Sequence, residues 1–130
     1  MDRDTEILQA IADPTRLRLL NLLTQAAEIC VCELADALGV PQYNVSRHLN
    51  VLAATGWVED RRVGKWIYYR VSRNLRPYQV TLLNALRQLR EEREDFRQAE
   101  SRAGRRLELR RCGVCCVGLV PKIGESFLPR

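Results

Sequence analysis

Two glycines, Gly39 and Gly56, restrict the fold of this chain more than any other feature, because each ends a short helical pattern. The first pattern covers about residues 30–38, and the second opens at or near Pro41 and runs to about Ala54. Glycine readily adopts the left-handed conformation that closes a helix, whereas proline is favoured in the first turn. A helix, a short turn with glycine and a second helix form the pattern of a helix-turn-helix.

Two further helices are predicted before this motif. Residues 5–12 repeat apolar side chains at helical spacing, and Asp13-Pro14 ends that helix. We expect Asp13 to be the N-cap, and Pro14 the first residue, of a second helix. The leucines between Leu17 and Leu23 make that second helix a core element.

A β-hairpin is predicted after the motif. Residues 57–62 and 65–71 are rich in aromatic and β-branched side chains, with Val63-Gly64 as a tight turn between them. Its basic edge would lie along a DNA backbone, as the wing of a winged helix-turn-helix does. The basic residues of this edge are Arg61, Arg62, Lys65 and Arg70. The expected fold is therefore mainly α with a β-hairpin wing.

A long helix is predicted from Pro77 to about Arg102, with one apolar stripe. The stripe comprises Leu82, Leu86, Leu89 and Phe96. Such a helix needs a packing partner, and a second copy of the chain is the usual one, so we expect a homodimer formed through the terminal helices. Residues 1–102 would form the winged helix-turn-helix DNA-binding and dimerisation domain, followed by a basic, cysteine-containing tail at 103–130.

The charge distribution favours a nucleic-acid partner. Residues 41–76 hold seven Lys and Arg against two Asp and Glu, within a chain whose first 100 residues sum to zero. A basic segment in such surroundings is typical of a phosphate-binding surface. The second helix of the motif would read the DNA, with Tyr43 set aside as a packing residue. The candidate DNA-binding residues on that helix are Gln42, Asn44, Ser46, Arg47 and His48.

The cysteines are the candidate metal ligands. They form one close pair, Cys30 and Cys32, and one close trio, Cys112, Cys115 and Cys116, which is not the spacing of a disulfide framework. Thiolates bind soft metal and metalloid ions. Positions i and i+2 of an ideal helix point about 200° apart. We therefore expect an ion shared by the close pair to bend or unwind the start of the first helix of the motif.

Other features limit the location and the class of protein. The chain has no apolar run of membrane-spanning length, and its first residues are acidic and polar, unlike a signal or transit peptide. We expect a cytoplasmic protein with reduced thiols and no membrane partner. A thiol enzyme ranks far below a regulator, because no substrate-pocket motif and no basic partner for a nucleophile are found.

Four motifs, in order over about residues 5–100, resemble the ArsR/SmtB winged-helix repressors, and most closely their arsenic-responsive branch. They are Asp13-Pro14-Thr15-Arg16-Leu17, Cys30-Val31-Cys32-Glu33-Leu34, Ser46-Arg47-His48-Leu49 and Gly64-Lys65-Trp66-Ile67-Tyr68-Tyr69-Arg70. The resemblance implies a homodimer that represses an arsenic-resistance operon by binding double-stranded operator DNA, with no cofactor required. It also implies release by the inducer, As(III) or Sb(III), with Cys30 and Cys32 as its ligands.

The chain departs from that family pattern at two positions. Many relatives have a third cysteine where this chain has Ala35, and many have an N-capping serine where it has Pro41. Trivalent arsenic bonds to three thiolates. The tail trio is thus a candidate third donor, from the same or the partner subunit.

Several alternatives stay open at this point. The thiols could form disulfides in an oxidant sensor, or the tail trio could bind cadmium, lead or another soft metal. Zinc or nickel specificity is disfavoured, because residues 77–102 contain no histidine. The sole histidine, His48, is expected to contact DNA or support the recognition helix.

Overall fold

The computed structural model describes residues 2–110, which form six helices and three short strands. Their order is α1 (Arg3–Ala10), α2 (Pro14–Leu23), β1 (Ile29–Cys30), α3 (Val31–Leu38), α4 (Gln42–Ala54), β2 (Val58–Val63), β3 (Trp66–Val71), α5 (Pro77–Glu92) and α6 (Glu94–Leu107). The predicted winged helix-turn-helix is confirmed, with α3 and α4 as the motif and β2–β3 as the wing. No helix among these residues is long and apolar enough to cross a membrane.

The predicted helix boundaries follow their capping residues. Asp13 accepts a hydrogen bond from the Arg16 N–H at 3.0 Å, with Pro14 at the first position of α2. Gly39 and Gly56 have φ of 69° and 80°, the left-handed conformation expected after α3 and α4. The first helix begins at Arg3 rather than at residue 5, because the Asp2 carboxylate caps it.

One core joins the helices to the sheet. Leu34, Val45 and Leu49, from the two helices of the motif, are fully buried. Trp57 is also fully buried, and its indole N–H donates to the Ile7 carbonyl at 2.8 Å, which ties the start of the wing to α1. Helix α4, the second helix of the motif and the predicted recognition helix, is therefore packed on a fixed core.

The wing has a third strand that the sequence pattern did not reveal. The antiparallel sheet has the order β1-β3-β2, with Cys30 opposite Tyr68. A two-residue strand is too short to show alternation, so only its pairing identifies it. The tight turn is also one residue later than predicted: Val63 pairs with Trp66, which leaves Gly64-Lys65 as the turn.

The prediction of one long helix from Pro77 to about Arg102 is wrong. Arg93 has extended backbone, φ −117° and ψ 111°, and separates α5 from α6. Helix α6 folds back onto α3 and α2, where Phe96 and Ala99 are buried. The apolar stripe thus packs against the core of the same chain. Helix α6 continues to Leu107.

Candidate functional site

The two cysteines of the close pair lie at the start of α3 with their sulfurs together. Cys30 is the N-cap, with φ −73° and ψ 150°, and Cys32 is the second helical residue. Their Sγ atoms are 3.5 Å apart, and both side chains are buried. Two sulfurs bonded to one ion at about 2.3 Å each are separated by roughly 3.5–3.8 Å. The pair is therefore already spaced to share one ion.

This geometry overturns the expectation that an ion must bend or unwind the helix. If both cysteines were on helical backbone, as expected, their side chains would point apart. Cys30 precedes the first helical residue, and its extended backbone turns its side chain toward Cys32. The sulfur pair is formed without distortion of α3.

A buried carboxylate fixes the backbone at Cys30. The Glu33 side chain is 0% exposed, and its Oε1 accepts the Cys30 N–H at 2.8 Å. Both Glu33 oxygens also accept from Arg110, at 2.7 Å each, and Arg110 donates to the Glu28 carbonyl as well. Glu33 was not singled out from the sequence, although a glutamate three residues after the N-cap is the spacing of a capping box.

A second arginine of the C-terminal segment contacts a sulfur. Arg106 is 1% exposed; its Nε donates to Asp36 at 2.7 Å, and its Nη2 to the Cys32 Sγ at 3.7 Å. A guanidinium and a helix N-terminus both favour the thiolate form of cysteine. Sequence reasoning missed Arg106, because residues 103–130 carried no periodicity that predicted a packed helix.

The cysteine pair opens onto a cleft of about 310 Å³ between three elements. Gln42 and Ser46 of the recognition helix line one side, and Lys65 and Trp66 of the wing line another. The sulfurs also pack against Tyr68, with Trp66 partly covering them. Side chains assigned to DNA binding thus share a cleft with the sulfurs.

Two of the five predicted DNA-binding residues on the recognition helix are exposed. Gln42 and Arg47 are exposed, whereas Asn44 and Ser46 are half-buried. Tyr43, which the sequence analysis set aside as a packing residue, is 68% exposed. That assignment is wrong, and Tyr43 belongs to the exposed surface of α4.

His48 contacts α2. Its Nδ1 lies 3.1 Å from the Arg16 Nη1 and 3.9 Å from the Asp13 carboxylate. Of the two roles expected for His48, these contacts favour support of the recognition helix. Partial burial raises the pKa of Asp13, but the Arg16 N–H bond and the charges of Arg16 and His48 outweigh it and hold that pKa below its ordinary value.

The basic residues of the wing differ in their surroundings. Arg61 forms two hydrogen bonds with Glu28, at 2.6 and 2.9 Å, and these bonds lower the pKa of the Glu28 carboxyl. The Arg70 Nε lies 3.7 Å from the Glu59 Oε1. Arg62 and Lys65 are exposed, with the Lys65 ammonium 4.8 Å from the Trp66 ring centroid. These two are better placed for phosphate contacts than the residues engaged with carboxylates.

The described residues supply two sulfurs. Within residues 2–110, no group of three His, Cys, Asp or Glu side chains is arranged to hold a metal ion. Cys112, Cys115 and Cys116, the other predicted ligands, lie outside the described residues.

Comparison with known proteins agrees with the fold. Residues 13–60 match the family described as "Bacterial regulatory protein, arsR family". The chain is 37% identical over 79 residues to the arsenical resistance operon repressor of Escherichia coli (strain K12), covering 61% of this chain and 68% of that one. It is 45% identical over 65 residues to the arsenic resistance transcriptional regulator ArsR1 of Pseudomonas putida, covering 50% of this chain and 51% of that relative.

A solved structure has the same architecture. Reduced HlyU from Vibrio cholerae N16961 matches with a TM-score of 0.58 at 28% identity, over 67% of this chain and 87% of that one. HlyU from Vibrio vulnificus CMCP6, described as a transcriptional regulator, also matches, with a TM-score of 0.56 at 28% identity over 66% of this chain and 85% of that one.

Proposed function

This chain belongs to the ArsR family of bacterial regulatory proteins and is a transcriptional repressor of the ArsR/SmtB type, and on that premise we propose that trivalent arsenic or antimony releases it from operator DNA. Cys30 and Cys32 are the proposed inducer ligands. The names of the Escherichia coli and Pseudomonas putida relatives support an arsenic-type inducer for this chain.

One observation carries the proposal: a sulfur pair 3.5 Å apart opens onto a cleft lined by Gln42, Ser46 and Lys65. Arsenous acid, As(OH)₃, and two thiols give (RS)₂AsOH and two molecules of water, so two As–S bonds replace two As–O bonds. The product would keep one hydroxide, which a third thiol can replace with release of another water.

The proposed mechanism acts at the meeting point of the DNA-binding elements. Cys30 is paired in the sheet with Tyr68 of the wing, and α3 packs on the recognition helix. An inducer bound to the sulfurs would change the packing and charge between α4 and the wing. Because it binds one arrangement of these elements better, it shifts the population away from the DNA-competent one.

The DNA contacts follow from exposure and chemistry. Gln42, Asn44 and Arg47 have side chains suited to base edges, and Ser46 suits either a base or a phosphate. Arg62 and Lys65 would contact phosphates, with Arg61 contributing only when it leaves Glu28. His48 would act indirectly, by fixing α4 on α2.

We propose that Cys112 supplies the third sulfur, from the same or the partner subunit, with Cys115 and Cys116 as further candidates. The Arg110 side chain is bonded to Glu33, whose carboxylate holds the Cys30 N–H. Cys112 is the first cysteine after Arg110 in the sequence. X-ray absorption of the arsenic-loaded protein tests this: three sulfur neighbours are expected, falling to two in Cys112→Ser. An unchanged count in that variant would assign the third sulfur elsewhere.

The dimer is proposed to form through α1 and α5. Leu8 and Val80 are 44% and 45% exposed on these two helices. Asp4 of α1 forms an ion pair with Arg76 and accepts the Tyr78 hydroxyl at 3.1 Å, which holds the two helices together. We also propose a cytoplasmic location, where DNA and reduced thiols coexist.

A thiol-oxidation sensor is the second candidate, favoured by the same sulfur separation. The two sulfurs would have to approach from 3.5 Å to about 2.05 Å to form a disulfide. The two thiols would transfer two electrons to a peroxide, which is reduced to water as the disulfide forms. A cadmium or lead sensor is the other alternative, because these ions also prefer thiolates.

Fluorescence anisotropy of a labelled duplex, selected by the protein from a random library, separates these functions. Arsenite or antimonite should release the wild-type protein, whereas Cys30→Ser and Cys32→Ser should bind the duplex normally and ignore both ions. Release by peroxide alone would replace the proposal with oxidant sensing. Release by cadmium or lead alone would replace it with soft-cation sensing.

A further inference from the structure

We propose that Arg106 is a positioning residue of the soft-ion site: its guanidinium joins Asp36 to Cys32 and thereby keeps the Cys32 sulfur beside that of Cys30. The assignment of both cysteines as inducer ligands is the proposed function on which this role rests. The positioning itself is a property of the empty site and can be measured without any ion.

The geometry places one guanidinium against two acceptors on the same face of α3. Asp36 follows Cys32 by four residues, which is one helical turn. Arg106 uses its Nε for Asp36, at 2.7 Å, and its Nη2 for the Cys32 Sγ, at 3.7 Å. These nitrogens belong to one rigid planar group, so fixing one hydrogen bond fixes the direction of the other.

The burial of the Arg106–Asp36 ion pair favours a role for Arg106 other than stabilising the fold. Arg106 and Asp36 are 1% and 3% exposed at their side chains. A buried ion pair contributes little net stability, because desolvation of both charges offsets their attraction. A sulfur acceptor within reach of the same guanidinium gives the buried arginine a function that an apolar pair could not supply.

Helix α6 and the residues that directly follow it thus hold both halves of the sulfur pair. Arg106 contacts the Cys32 sulfur directly, and Arg110, three residues after the end of α6, holds Glu33 against the Cys30 backbone. Because Cys32 is already held in place, less side-chain conformational entropy would be lost when an ion binds to both sulfurs. That saving corresponds to about 2- to 12-fold in affinity, from the usual cost of ordering one side chain.

Two variants separate positioning from folding. Arg106→Lys retains a charge for Asp36, but a single ammonium lacks the rigid fork that reaches both acceptors. The double variant Asp36→Leu with Arg106→Met removes the pair together, so no buried charge is left without its counter-ion. Arg105→Met is the matched control, because Arg105 is exposed on the same helix beside Arg106.

The first readout uses no arsenic. In full-length protein carrying Cys112→Ser, Cys115→Ser and Cys116→Ser, dibromobimane becomes fluorescent only when it links Cys30 to Cys32. Linking should fall relative to single alkylation by monobromobimane in both Arg106 variants and stay unchanged in Arg105→Met. Equal linking in all folded variants, verified by urea unfolding, would overturn the positioning role.

The second readout is arsenite affinity with the native tail, measured by calorimetry. The Arg106→Lys and double variants should bind about 2- to 12-fold more weakly than wild type or Arg105→Met. If these folded variants bind as tightly as wild type, the positioning role is wrong. If wild type binds no arsenite while linking still depends on Arg106, the inducer assignment fails and the positioning role stands.

Discussion

The sulfur site at the start of α3 is surrounded by three charged residues, Glu33, Arg106 and Arg110. The two cysteines could be identified from the sequence, because closely spaced thiols in a chain without a disulfide framework predict ion chemistry. Glu33 was within reach of sequence reasoning as the third residue of a capping box. The arginines were not, since these contacts span 70 and 77 residues and depend on how α6 folds back.

Asp13 gives the structure a specific acid sensitivity. Its folded-state pKa lies below the ordinary value of 3.8, so its contribution to stability is present above that value and is lost as the pH falls through the folded pKa. Asp13→Asn should keep the cap of α2 but lose the charge, at a cost of about 0.3–1 kcal/mol at pH 7. Urea unfolding should show the gap between wild type and variant closing below pH 3.8. A gap independent of pH would exclude this charge effect.

At the scale of elements, short-range signals predicted the helix-turn-helix and failed at the C-terminal helices. The glycines after α3 and α4 and the Asp13-Pro14 start of α2 act within one turn, so their effects can be recognised locally. No glycine or proline in the sequence marks the break between α5 and α6 at Arg93. It depends on the burial of Phe96 and Ala99 against distant helices, which no local pattern contains. The two-residue β1 was not predicted either, because it is too short to show alternation and only its pairing with β3 identifies it.

The fold of α6 changes how the tail should be tested. Deleting residues 103–130 removes the buried Ala103 and Arg106 along with the three tail cysteines. That deletion should lower the free energy of unfolding, because it removes core side chains of α6, including the Arg106 guanidinium that is bonded to the buried Asp36. The full-length triple variant Cys112→Ser, Cys115→Ser, Cys116→Ser should retain wild-type stability by urea unfolding and lose arsenite affinity. Equal stability of the deletion would contradict the packing of α6.

For the whole molecule, the exposed apolar residues of α1 and α5 define the proposed dimer surface. Val80→Glu places a charge on that surface and should shift the protein toward the monomer mass in light scattering. Val51→Glu is the control, since Val51 is similarly exposed, at 39%, on the recognition helix. It should leave the mass unchanged. A dimer that survives Val80→Glu but dissociates with Val51→Glu would move the interface to another face.

The sulfur pair shares its cleft with the recognition helix and the wing, and we propose that an ion bound to the pair weakens DNA binding. The direct measurement is the operator affinity of the same preparation before and after saturation with arsenite, at one fixed salt concentration. The loaded protein should bind about 5- to 150-fold more weakly, the usual range for coupled sites, and Cys32→Ser should show no difference. Equal affinity of the loaded and empty wild-type protein would show that the sulfur pair is not coupled to DNA binding.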